Sequence, residues 1–225
     1  MKASARLADL AQIEARIWAE LDDAVHRRAS SGEPAHEWRR AVLATQDAQG
    51  PQARSIVLRD AHIDTRELVL YADARSAKVL QLRQDPRAVL MCWSEVLGWQ
   101  LRMRCRVEVE TTGLDVTARW ARIRHSPAAH DYLSPMAPGT PLTGERPQAD
   151  DQRRPPPGGV ESTWGGPALT HERGVPVAAP HPPERLRETF AVLTACVESV
   201  DWLELHELGH RRALFDAQGA RWLVP

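Results

Sequence analysis

The sequence predicts a mainly β (α+β) fold, a six- to eight-stranded antiparallel split β-barrel with a few flanking helices. Three observations carry this. Between residues 40 and 110, short apolar runs recur between polar breaks containing Asp, Gly and Pro. Across residues 101–110, Leu101, Met103, Cys105, Val107 and Val109 alternate with Arg102, Arg104, Arg106, Glu108 and Glu110. That period of two marks a long, half-exposed antiparallel strand. The tail returns to short runs at 211–215 and 221–224, joined by the hairpin turn Asp216-Ala217-Gln218-Gly219. Antiparallel runs with one apolar face favour a small closed or split barrel.

The elements follow in order. Residues 5–27 read as a helix, because Leu7, Leu10, Ile13, Ile17, Trp18, Leu21, Ala24 and Val25 recur at helical spacing. Glu14 is the misfit near that stripe. Such a stripe packs a helix on a sheet. Turn residues at 30–34 end it. A strand at 40–45 leads through a hairpin turn at 46–51 into a strand at 53–58. Its apolar run at 56–58 suggests burial on both faces. Residues 60–66 turn the chain into a strand at 67–72. Ser76 is a good N-cap for a helix over 77–84, which Pro86 stops. Residues 88–94 form a buried strand, and 101–110 the alternating one. The polar face of 101–110 fits either a charge-paired solvent face or a surface against a second subunit. A helix covers 115–124. Residues 138–183 are rich in Pro and Gly and read as an irregular excursion. Order returns at 189–193 and 200–206, before the two final runs.

The 225 residues suit one domain with a sizeable core, spanning 1–225. A net charge of -1 points to neither nucleic acid nor membrane partners. Without an apolar run of membrane-spanning length or an opening signal peptide, a cytoplasmic location is expected. Cys92, Cys105 and Cys196 lack CxxC spacing and read as reduced structural thiols. His206 and His210 stand four apart without a clear third ligand, so no metal is expected.

Cations sit near the ends of the runs between 54 and 104, at Arg54, Arg59, Arg75, Lys78 and Arg102. On rigid strand ends they suit an anionic ligand, because charge-assisted bonds to phosphate are strong. A helix start flanked by Arg75 and Lys78 fits an anion site; it also fits a capped surface helix with two solvated cations. The ordered series RSIVLR (54–59), Tyr71-Ala72, Ser76-Ala77-Lys78, Gln100-Leu101-Arg102 and the tail WLELHELGHRR (202–212) resembles the flavin-binding split barrel of the pyridoxamine 5'-phosphate oxidase family. The likeness runs through 40–135 and 189–225.

That resemblance implies FMN as cofactor and a homodimer with the flavin at its interface. It implies that Arg54, Ser76 and Lys78 contact the phosphate. Ser55, Ile56, Val57, Leu58 and Arg59 would follow along the flavin, with Tyr71 and Ala72 at the family's aromatic-Thr pair. Gln100, Trp202 and Arg212 would serve the partner's ring. Arg59, Arg124 and His210 would face a small-molecule substrate, His210 as the catalytic candidate. Two departures bear on activity. Ala77 stands where the family carries a second phosphate-binding Arg, and Leu208 where the oxidase carries a substrate-binding Arg. The implied function is therefore an FMN-binding oxidoreductase of unassigned substrate. The open alternatives are a true pyridoxamine/pyridoxine 5'-phosphate oxidase and a non-catalytic flavin-binding protein.

Overall fold

The computed structural model describes residues 6–27, 35–126, 129, 132, 134–141 and 188–225. The turn at 30–34 and most of the 138–183 excursion lie outside them. In order come α1 (Leu10–His26), a 3-10 turn (Glu37–Arg39), β1 (Arg40–Asp47), β2 (Gly50–His62), β3 (Glu67–Asp73), α2 (Ala77–Gln84), β4 (Arg87–Ser94), β5 (Trp99–Glu110), α3 (Leu114–Ile123), β6 (Phe190–Glu204), β7 (Arg211–Asp216) and β8 (Gly219–Leu223).

The strands lie in the order β3-β2-β1-β4-β5-β6-β7-β8, and β3 also pairs with β6. That extra pairing closes β3-β2-β1-β4-β5-β6 into a six-stranded antiparallel barrel and leaves β7-β8 as an extension. The split is built into β6. Residues Phe190 to Cys196 pair with β3, Ser199 to Glu204 pair with β7, and β5 follows the opposite edge. β6 is one strand where the sequence suggested two separate runs. Opposite Arg104 and Cys105 its register jumps from Ser199 to Val197, so Glu198 is an extra, bulged residue. A bulge breaks the period of two and so hides strand continuity.

Alternation delivers the core. Leu43, Leu70, Leu90, Leu101, Met103 and Leu193 are fully or almost fully buried in one cluster. Each such side chain contributes about 1.5–3 kcal/mol by leaving water. α1 lays Ile13, Ile17, Trp18, Leu21 and Ala24 into the same cluster. It begins at Leu10, later than the stripe suggested, because the Asp9 carboxylate caps the N–H groups of Ala11 and Gln12. Glu14 is not stranded on the apolar side, since it pairs with Arg66 at 2.5 Å. A second cluster forms outside the barrel, where α3 packs Val116 and Trp120 against Val69, Phe190 and Val192. β2 runs longer than expected, and its 56–58 segment is not buried on both faces: Ile56 and Val57 are half-buried and only Leu58 is fully buried. Among the described residues no helix is long and apolar enough to cross a membrane.

Candidate functional site

Two groups of the expected residues emerge. The first lies where the β1–β2 hairpin meets α2. The inward positions of β1 are Ala41, Leu43 and Thr45, so the last of them brings a hydroxyl to the barrel end. There Arg54 donates from Nη1 to Thr45 Oγ1 (2.5 Å) and the Leu43 carbonyl (3.3 Å), and from Nη2 to Gln81 Oε1 (3.0 Å). Thr45 donates onward to Gln81 Oε1 at 2.6 Å, and Gln81 Nε2 donates to Asp47 at 2.7 Å. Arg54 is thus held by neutral oxygens alone. A guanidinium has five N–H donors; three bonds leave the Nε–H and one Nη2–H without a partner among the described residues.

Lys78 lies in the first turn of α2, half-buried. It makes no hydrogen bond or ion pair among the described residues. Burial, and then the Arg54 charge, push its ammonium below the ordinary range, against an opposing pull from Asp73. Burial also lowers Arg54, against an opposing pull from Asp47, which Gln81 keeps out of contact with it. Two neighbouring cations without a carboxylate in contact, at a helix N-terminus, form a positive, partly dry corner.

The other expected contributors nearby are committed elsewhere. Ser76 precedes α2 but is nearly buried, and its hydroxyl donates to the Asp73 carbonyl (2.7 Å) instead of capping the helix. Arg75 turns away from the corner. It grips Asp73 at 2.6 Å and reaches the carbonyls of Ser134, Pro135 and Met136. Leu58 and Ala72 are core residues with no side-chain surface to offer. Ser55 is exposed on the outer face of β2.

Further along β2 the register jumps between Leu58↔Leu70 and Asp60↔Val69, which makes Arg59 a bulge residue. The bulge aims its guanidinium over the Tyr71 ring (5.7 Å) and toward the Tyr132 hydroxyl (3.4 Å). Its Nε is buried without a partner among the described residues. Burial, and then Arg59 itself, lower neighbouring Arg39. Arg124 is exposed just past α3.

The second group lies on the outer face of β5–β7. Gln100 stands opposite Leu203, and Leu203 opposite Arg212, so the three share one cross-strand row. Arg212 holds Asp201 with both Nε (2.9 Å) and Nη2 (2.8 Å), and Arg102 joins the same carboxylate. Burial acts to raise the Asp201 carboxyl, but the bonds from Arg212 and Arg102 outweigh it and hold it low. A cavity of about 720 Å³ opens on this face, with Arg102, Arg104, Asp201, Arg212, Leu214 and Arg221 in its lining. Neither Gln100 nor Arg212 bonds to any residue of the first group.

Trp202 is placed differently from its expected role at a ring. It is fully buried, edge-on to Trp99 at 5.2 Å, with Arg211 5.6 Å over its face. Its neighbours in β6 explain this, since Val200 and Trp202 share the inward parity. His210 is exposed on the β6–β7 turn, and its Nδ1 accepts the His206 N–H at 3.2 Å. In the neutral ring the proton therefore sits on the outward Nε2. Among the described residues no group of His, Cys, Asp and Glu could hold a metal.

Residues 35–146 match the family model described as pyridoxamine 5'-phosphate oxidase. A pyridoxine/pyridoxamine 5'-phosphate oxidase of Caulobacter vibrioides is 37% identical over 87 residues, which span 38% of this chain and 38% of that protein. The fold is shared with a pyridoxamine 5'-phosphate oxidase-related, FMN binding protein from Nostoc punctiforme (TM-score 0.59, 23% identity, 97% of this chain and 98% of that one). It is shared also with PhzG from Burkholderia lata, solved in complex with tetrahydrophenazine-1-carboxylic acid (TM-score 0.60, 14% identity, 98% and 95%). The closed barrel, its split sixth strand and the family match over β1 to α3 agree, and the chain belongs to the pyridoxamine 5'-phosphate oxidase-like split-barrel family.

Proposed function

We propose that the chain is an FMN-dependent oxidoreductase that works as a homodimer on a small-molecule substrate. The observation that carries this reading is the Arg54–Lys78 corner: two partly buried cations, close enough to depress Lys78, with no neutralising carboxylate in contact. Such an arrangement is costly in the free protein and is relieved by a doubly charged phosphate. The two spare N–H groups of Arg54 and the ammonium of Lys78 would hold that phosphate.

The rest of the ligand would run along β2 and β3, where Ser55, Val57, Arg59 and Tyr71 leave surface. Ile56, Leu58 and Ala72 contribute mainly through backbone. When bound, the flavin supplies two-electron redox chemistry; the protein supplies position and electrostatics. Gln100 and Arg212, remote from the corner in one chain, would serve a partner's flavin. Arg212 is shared with Asp201, so a ligand there competes with that carboxylate. Arg59, with Arg39 close by, suits an anionic group on the substrate. The outward Nε2 of His210 suits proton transfer, and Arg124 lies free to approach.

The test is the visible spectrum of freshly purified protein, followed by chromophore release and titration with FMN, FAD and riboflavin. Flavin bands and preferential FMN binding support the proposal. A colourless protein that takes up no added FMN overturns it. Reduction by NAD(P)H and turnover of pyridoxine 5'-phosphate then separate a general oxidoreductase, a true oxidase and a passive flavin carrier.

A further inference from the structure

We infer that Gln81 and Thr45 are positioning residues that aim Arg54 at the flavin phosphate; this rests on the phosphate reading above. Three points of geometry lead there. First, both side chains are almost wholly buried, 7% and 5% exposed, although they are polar. Buried polar groups need partners, and here each finds one in the other and in Arg54. Second, the orientation of the Gln81 amide is fixed by chemistry. Arg54 can only donate, so the oxygen of Gln81 must face it, and the Thr45 hydroxyl then donates to the same oxygen. The remaining NH₂ turns to Asp47.

Third, the clamp is electrically neutral. Gln81 stands between Asp47 and Arg54, bonding the carboxylate with one end and the guanidinium with the other. Arg54 is thereby fixed on one side by a hydroxyl, an amide and a carbonyl, none of which cancels its charge. The chain of bonds links β1, β2 and α2, the three elements that form the corner. Losing it frees Arg54 to rotate and gives Asp47 no separating group. Neither residue needs to touch the ligand itself.

The experiment compares dissociation constants of FMN and riboflavin, read by quenching of flavin fluorescence, for the wild type, Gln81→Met and Thr45→Val. Riboflavin lacks the phosphate and so reports the ring site alone. The wild type should bind FMN more tightly than riboflavin. Each variant should shrink that preference by about tenfold, the worth of one charge-assisted hydrogen bond, with riboflavin affinity unchanged. Thr45→Val is nearly isosteric and carries the test if Gln81→Met does not fold. A wild-type preference that survives intact in the folded variants overturns the positioning role. Equal wild-type affinities for FMN and riboflavin overturn the phosphate reading itself, and this inference with it.

Discussion

Lys78→Met should make the ligand-free protein more stable and the FMN-bound protein less so. Lys78 is half-buried, unpaired among the described residues and repelled by Arg54. Methionine keeps the apolar stem and removes the desolvated charge, which should add about 1 kcal/mol to the stability of the free protein. The gain has a pH signature. The folded-state pKa of Lys78 lies below its unfolded value, so its charge penalises folding at neutral pH. That penalty fades as pH rises from the folded toward the unfolded pKa. With FMN at about 100 times its dissociation constant, the wild type gains about 2.7 kcal/mol from mass action. If the missing cation weakens FMN tenfold, the variant gains only about 1.4 kcal/mol. Its total advantage, about 2.4 kcal/mol, then falls short of the wild type's 2.7, and the order of stabilities inverts. Urea unfolding with and without FMN measures this. A variant less stable than wild type without ligand, or one gaining as much from FMN, refutes the reasoning.

Gly98→Ala should cost about 2 kcal/mol or more in urea unfolding, because Gly98 has φ +64° and an added Cβ would lie 2.7 Å from the Leu205 carbonyl oxygen. Arg75→Ala should lower the urea midpoint, since it strips the guanidinium from Asp73, which is 3% exposed; it should also speed limited proteolysis near Ser134, Pro135 and Met136. Burial acts to lower the pKa of His26, but its bonds to Asp22 and Asp60 together outweigh that and raise it. A raised histidine stabilises below its unfolded pKa and loses that contribution as pH rises through the folded one. His26→Gln should therefore remove a small stability advantage at acidic pH and leave the alkaline side unchanged in a series of melting curves.

Much of the fold was legible locally. The helix over 77–84 matches α2 residue for residue: Pro86 stops it, and Ser76 stands at its N-cap position, although its hydroxyl bonds the Asp73 carbonyl and makes no cap. The alternation at 101–110 gave β5 because the barrel wall has one dry face. Other features depended on pairing. β2 extends to Gly50 because its polar residues pair with β1 as far as Asp47, which periodicity does not record. In the site, Arg54 and Lys78 stood out as cations near strand and helix ends. The clamp around Arg54 did not, because Thr45 and Gln81 are 36 residues apart. One clue was visible: Thr45 is a polar residue in the inward series Ala41, Leu43, Thr45. Arg75 is expected beside an anion from its place at a helix start, and Ser76 through the resemblance; the Asp73 carboxylate takes the first and the Asp73 carbonyl the second. Trp202 is expected at a ring through the resemblance, and its inward parity with Val200 on β6 buries it instead.

The central claim is that a flavin phosphate rests on two unneutralised cations, and the most direct test is a ³¹P NMR titration of FMN bound to the protein. A phosphate monoester in water takes up its second proton near pH 6, a value of about 6. Held by Arg54 and Lys78, the phosphate should stay dianionic well below that midpoint, and Lys78→Met should return the midpoint toward that of free FMN. A bound phosphate that titrates like free FMN in both proteins would contradict the account.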